Sequence, residues 1–147
     1  MRTQFFRLVM PILLLLFVGA GCNENEQKCT TIAVEGPENN VIGKWKQVKG
    51  KTVFDKPQIV DYSCNNIIYN FKSDGSLSIY SDIDNPIGYN SGEYIYEFSL
   101  YSLYENIDEN YTLKIENSSW ACGISGSNMV LNNTPLDGPI LYFVRIQ

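Results

Sequence analysis

Eight short runs in which apolar and polar residues alternate, divided by turn signals, fill the chain from Val41 to Ile146. A period of two is what a half-buried strand requires, because successive side chains point to opposite faces. The cleanest case sets Tyr111, Leu113 and Ile115 against Thr112, Lys114 and Glu116. The other runs fall at residues 41–51, 66–72, 76–81, 92–100, 120–124, 128–131 and 140–146. In the first, Val41, Gly43 and Trp45 share one face and Lys44 and Lys46 the other, so the lysines mark solvent and Trp45 points inward. Beyond the N-terminal apolar segment no stretch carries a helical period, and ten Tyr with seven Phe favour sheet over helix.

The turns join these runs into a meander. Asp74-Gly75 is a strong hairpin signal, since Gly accepts positive φ, and it puts Phe71 and Leu77 on one face. Residues 51–64 hold Pro57 and a short apolar Ile59-Val60, placed to cross one end of the sheet as a lid. Residues 82–91, with Asn85-Pro86 and Gly88, form a loop. The run at 92–100 extends through Tyr101 and Leu103 to a turn at 105–110. The last run is apolar on both faces, which suits a closing strand covered by a loop. The fold class expected is all-β: an eight-stranded antiparallel up-and-down barrel whose last strand meets its first, with an open sandwich as the alternative. Closure removes the exposed strand edges that invite aggregation.

The front of the chain is of another kind. Arg2 and Arg7 precede an apolar run over residues 8–20, and Gly19-Ala20-Gly21 supplies the small residues a signal peptidase needs. The apolar run is too short for a membrane span of about 20 residues. Cys22 follows at once, an arrangement that resembles the lipobox of bacterial lipoproteins, although Gly19 stands where Leu is usual. The resemblance implies cleavage after residue 21 and lipid attachment, with palmitate-type acylation, at Cys22. Residues 1–21 then form a signal peptide, 22–40 a lipidated tether and 41–147 the barrel domain. Glu24 and Glu26 resemble a surface-export signal only weakly; a solvated spacer serves as well. Attachment to the outer membrane is expected, in either leaflet.

Removing residues 1–21 leaves 126, enough for one core, and moves the net charge from −5 to −7. The acid excess is scattered and no basic patch stands out, which argues against nucleic acid and against anionic lipid headgroups. With Cys22 lipidated, Cys29, Cys64 and Cys122 allow one disulfide; Cys64–Cys122 is favoured, with the other pairings open. The chain has no His, which excludes Ser–His and Cys–His nucleophile systems, and no Cys pair has zinc-type spacing. Asp82-Ile83-Asp84-Asn85 has the flavour of a calcium loop but lacks the later acidic ligand, so a solvated turn is expected. Neither enzyme activity, cofactor nor metal is expected.

Gly43-Lys44-Trp45 at the start of the first strand, with Arg145 near the end of the last, resembles the closing signature of lipocalins and related barrels. Taken with the lipobox, the hairpin over residues 67–77 and the terminal Phe-Val-Arg-Ile, the chain is similar to the lipocalin-like lipoproteins of Bacteroidetes over residues 41–147. The resemblance implies that Trp45 plugs one end of the barrel and that Arg145 covers it by cation–π stacking. It departs from that family in length, and no flanking helix follows the last strand. Tyr69, Phe71, Tyr94, Tyr96, Phe98 and Trp120 then either line a cup for a small apolar or amphipathic ligand or fill it. The function expected is that of a membrane-anchored, monomeric ligand-binding lipoprotein. The alternative is a packed barrel that meets a protein or glycan partner of the envelope on loops such as 82–91.

Overall fold

The computed structural model describes residues 29–100 and 111–147. The signal segment, Cys22, the extension through Tyr101 and Leu103 and the turn at 105–110 lie outside the described residues. The chain is all-β. Among the described residues nine strands run in order: β1 (Gly43–Thr52), β2 (Gln58–Asp61), β3 (Ile67–Phe71), β4 (Ser76–Ser81), β5 (Gly92–Ser99), β6 (Tyr111–Ile115), β7 (Ser118–Ser125), β8 (Asn128–Asn132) and β9 (Ile140–Ile146). A 3₁₀ turn, Thr134–Leu136, precedes β9.

Eight of these strands close an antiparallel up-and-down barrel in the order β1-β3-β4-β5-β6-β7-β8-β9, and β9 returns to β1. The closing seam pairs Lys44 with Ile146, Trp45 with Arg145 and, past a bulge between Gln47 and Lys49, Gly50 with Leu141. The ninth strand is the one addition to the expected count. One edge of β1 is taken by β9, so β3 on residues 43–46 and β2 on residues 49–52 share the other, end to end. The connection read as a lid is therefore a hairpin arm: Ile59 pairs with Lys51 and is 66% exposed.

Alternation sets the interior. Ile67, Tyr69 and Phe71 from β3, Leu77 and Ile79 from β4, Leu113 and Ile115 from β6, Trp120, Cys122 and Ile124 from β7, Met129 and Leu131 from β8, and Leu141 and Phe143 from β9 are all buried together. β5 behaves differently. Its first half pairs with β4 and its second half with β6, so each half has a described partner on one edge only. Its inward rings Tyr94, Tyr96 and Phe98 are accordingly half-buried.

The disulfide corrects the expected pairing. Cys29 is joined to Cys64, with Cα atoms 5.1 Å apart, and Cys122 is a buried thiol in the core. Cys64 sits exposed at the corner between β2 and β3, whereas Cys122 faces the interior from β7, which stands four places from β3 around the barrel. A disulfide needs Cα atoms within about 7 Å, which opposite walls cannot offer.

Candidate functional site

Two constructions close the ends of the barrel, and a third feature marks its outer wall. At the closed end the guanidinium of Arg145 stacks 4.2 Å from the Trp45 ring centre. Trp45 is fully buried, and its indole N–H donates to the Val41 carbonyl at 2.8 Å. Arg145 reaches on to three more carbonyls of the lead-in: Nη1 donates to Ile42 at 3.1 Å, and Nη2 to Asn40 at 2.8 Å and Pro37 at 3.2 Å. A cation with several fixed acceptors gathers a loop that has no regular structure of its own. Gly43 begins the strand at φ 123°, a conformation that side chains resist, so the Gly of Gly-x-Trp is a backbone requirement.

At the other end the loop over residues 82–91 turns into the mouth. Gln47, fully buried on the inner face of β1, donates Nε2–H to the Ile87 carbonyl at 2.7 Å. The Tyr62 hydroxyl accepts from Ile87 N–H at 2.9 Å, and the Tyr69 hydroxyl accepts from Tyr89 N–H at 3.2 Å. Trp120 Nε1–H donates to the Tyr89 hydroxyl at 3.1 Å, and Tyr94 donates to the Asn90 carbonyl at 3.0 Å. Tyr89 stands edge-on to Tyr94, with ring centres 5.3 Å apart, and edge-on to Tyr69 at 6.5 Å. The loop approaches so closely that a Cβ on Gly88, whose φ is 126°, would lie 2.9 Å from the Tyr69 hydroxyl. Gln47 Oε1 is buried and has no hydrogen-bond partner among the described residues.

Of the six candidate lining residues, Tyr69, Phe71 and Trp120 are buried in the core and Tyr94, Tyr96 and Phe98 lie along its half-open flank. Rings meet from floor to mouth: Phe71 with Tyr96 at 5.0 Å, Tyr69 with Phe143 at 4.8 Å, and Tyr89 with Trp120 at 6.0 Å. A described surface dent of about 40 Å³ lies at Tyr96, Lys114 and Glu116, far smaller than a ligand pocket of about 300 Å³ or more. Asp82, the first acid of the calcium-like run, spends its carboxylate on Asn66, accepting from its backbone N–H at 2.9 Å and its side chain at 3.3 Å.

Burial gives the mouth a pH dependence. It pushes the Tyr69 hydroxyl well above the ordinary value of 10.0 and raises Tyr89, and toward the floor it raises Tyr96 as well. A group whose folded pKa is raised contributes stability that is complete below its unfolded pKa and is lost above it. The unfolding free energy is therefore expected to hold steady through neutral pH and to fall from about pH 10 upward, Tyr69 alone giving a slope near 1.4 kcal/mol per pH unit. Urea midpoints from neutral pH to about pH 11 check this. Tyr69→Phe should flatten the fall, and an unchanged slope would mean that Tyr69 titrates alike in both states.

The third feature is one that the scattered charges concealed. Lys44 and Lys46 flank the inward Trp45, and Lys49 and Lys51 flank the inward Gly50, because the bulge after Gln47 shifts the phase of β1 by one residue. Four lysines thus share the outer face of one strand. Residues 43–62 hold five lysines against two aspartates, a net +3 in a chain of −5. Lys49 lies 5.4 Å from the Tyr142 ring centre, and Lys46 Nζ donates to the Ser63 carbonyl at 2.8 Å.

The chain was compared with models of known families, with curated proteins and with solved structures. It matches none of them. The functional reading therefore rests on its own residues.

Proposed function

We propose that this chain is a lipid-anchored, lipocalin-like barrel of the bacterial cell envelope, carried on the outer membrane through Cys22, and that it acts through its outer surface. The observation that carries the second half is the stoppered mouth. Gln47, Tyr62, Tyr69, Tyr94 and Trp120, the groups that would greet a ligand, are bonded to the chain's own loop. Displacing that loop means breaking five hydrogen bonds and exposing the Tyr89 ring, which supports the packed barrel over a ready cup. The anchor is supported by the basic, apolar and small-residue succession that ends at Cys22.

A second reading is favoured by one atom. Gln47 Oε1, buried beneath the loop without a partner among the described residues, is an acceptor that a hydroxyl of a small amphipathic molecule would satisfy if residues 82–91 swung aside. Native mass spectrometry of the protein from its own host separates the two. The packed barrel is expected to give the mass of the acylated polypeptide alone, and a further small mass released on unfolding would overturn it in favour of a carrier. For the anchor, Cys22→Ala is expected to leave the chain uncleaved and mislocalised, and normal membrane fractionation of that variant would refute it.

A further inference from the structure

We infer that the outer face of the β1–β2 arm is a contact surface for anionic phospholipid headgroups, which holds the barrel in one orientation on the membrane that anchors it. The inference rests on the lipid-anchor reading for its occupant, and on three observations for the face itself. The first is charge: Lys44, Lys46, Lys49 and Lys51 line one side of β1, in a chain otherwise rich in acids. A juxtamembrane cluster of this kind is drawn to a negatively charged bilayer, and it acts only within about a Debye length of it. The second is the pair of apolar side chains carried on the same arm. Phe54, at the tip, is 50% exposed, and Ile59, opposite Lys51 on β2, is 66% exposed. Lysines flanking exposed apolar side chains are what an interfacial contact uses: the charges meet phosphates and the apolar groups enter the headgroup boundary.

The third observation is where the tether leaves the fold. Cys29 is fixed by its disulfide to Cys64, and the neighbouring Ser63 carbonyl accepts from Lys46 Nζ. The chain therefore departs toward Cys22 from a point beside the lysine face. Six residues lie between Cys22 and Cys29, and the seven steps along the chain reach at most about 25 Å. An exit on the acidic flank at Glu93 and Glu97 would turn like charge toward the bilayer; the observed exit turns the lysines toward it. The acyl chains supply the attachment, and the arm sets which wall of the barrel faces the lipid.

The test uses the full mature protein with Phe54→Trp, reconstituted in vesicles whose acyl chains carry bromine as a quencher. Vesicles of phosphatidylcholine alone are compared with an equimolar mixture of phosphatidylcholine and phosphatidylglycerol. The parent chain, with Trp45 and Trp120 buried, sets the background. Emission from position 54 is expected to be strongly quenched in the anionic vesicles, weakly in the zwitterionic ones, and to recover at high salt. Lys44→Gln, Lys49→Gln, Lys51→Gln and Lys56→Gln together, leaving the Lys46 bond to Ser63 intact, should abolish most of the quenching while circular dichroism stays unchanged. Quenching that ignores lipid charge, or survives loss of the lysines, overturns the proposal. Capture of an acidic protein by this face without lipid-dependent quenching also overturns it. The mass of the Cys22 peptide is read on the same samples. An acylated chain without the lipid dependence keeps the anchor and removes the face, and an unacylated chain that still shows it does the reverse.

Discussion

Trp45→Ala is expected to lower the unfolding free energy by about 3–5 kcal/mol, the range for emptying a buried aromatic site. Three losses add here. The largest is the ring itself, fully buried on the floor of the barrel, where the wall strands β1, β3 and β9 leave little freedom to collapse into the gap. The second is the Val41 carbonyl, which loses the indole N–H that now satisfies it. The third is the face on which Arg145 lies. The guanidinium stays tied to the carbonyls of Pro37, Asn40 and Ile42, so it cannot follow the cavity inward. Trp45→Phe keeps much of the bulk and loses the N–H, and should cost less. A double-mutant cycle with Arg145→Leu should show a coupling of about 0.5–2 kcal/mol, the worth of a desolvated cation–π contact. Urea titrations at neutral pH measure all of these, and a Trp45→Ala loss below about 1 kcal/mol would mean that the ring is not part of the core.

The barrel was legible because a period of two is a local signal. Each strand announces its buried face in its own residues, as Ile67, Tyr69 and Phe71 do, and the turn at Asp74-Gly75 passes the register to Leu77 and Ile79. The pairing of Trp45 with Arg145 is a long-range fact, and it was approachable only through a resemblance that ties the two positions together. What stayed hidden was of the same long-range kind. Gln47 is polar, so nothing in its identity said that it would be fully buried beneath Ile87. The residues 82–91 carry the marks of an ordinary solvated loop, Asn85-Pro86 and Gly88, and it is side chains brought up from distant parts of the chain, Gln47, Tyr62, Tyr69 and Trp120, that draw them into the mouth. The lysine face had a signal that could have been followed. Lys44, Lys46, Lys49 and Lys51 alternate with a single slip, and a slip of one residue in a strand is a bulge. Counting charge over the whole chain averaged it away.

Cys64→Ser is expected to cost about 3–4 kcal/mol, because the Cys29–Cys64 bond closes a loop with a sequence separation of 35 and removes that much freedom from the unfolded chain. Reducing agent should do to the parent protein what the substitution does, and should do nothing further to Cys64→Ser. Cys122→Ala provides the contrast. Its thiol lies in the core opposite Leu131 and Tyr111, so truncating it should cost about 1–2 kcal/mol, and the sensitivity to reductant should survive intact. A peptide map without reduction that links Cys64 to Cys122, or a Cys122→Ala variant that no longer responds to reductant, would sink the pairing. More than stability turns on this bond. Val34 is held separately, its N–H donating to the Arg145 carbonyl at 3.0 Å, so without the disulfide the lead-in is still fastened at the closed end but no longer at the corner beside Lys46. Its exit would then move from the lysine wall toward the floor of the barrel, and the quenching of a Trp at position 54 by anionic lipid should drop in Cys64→Ser while the acylation of Cys22 is unchanged.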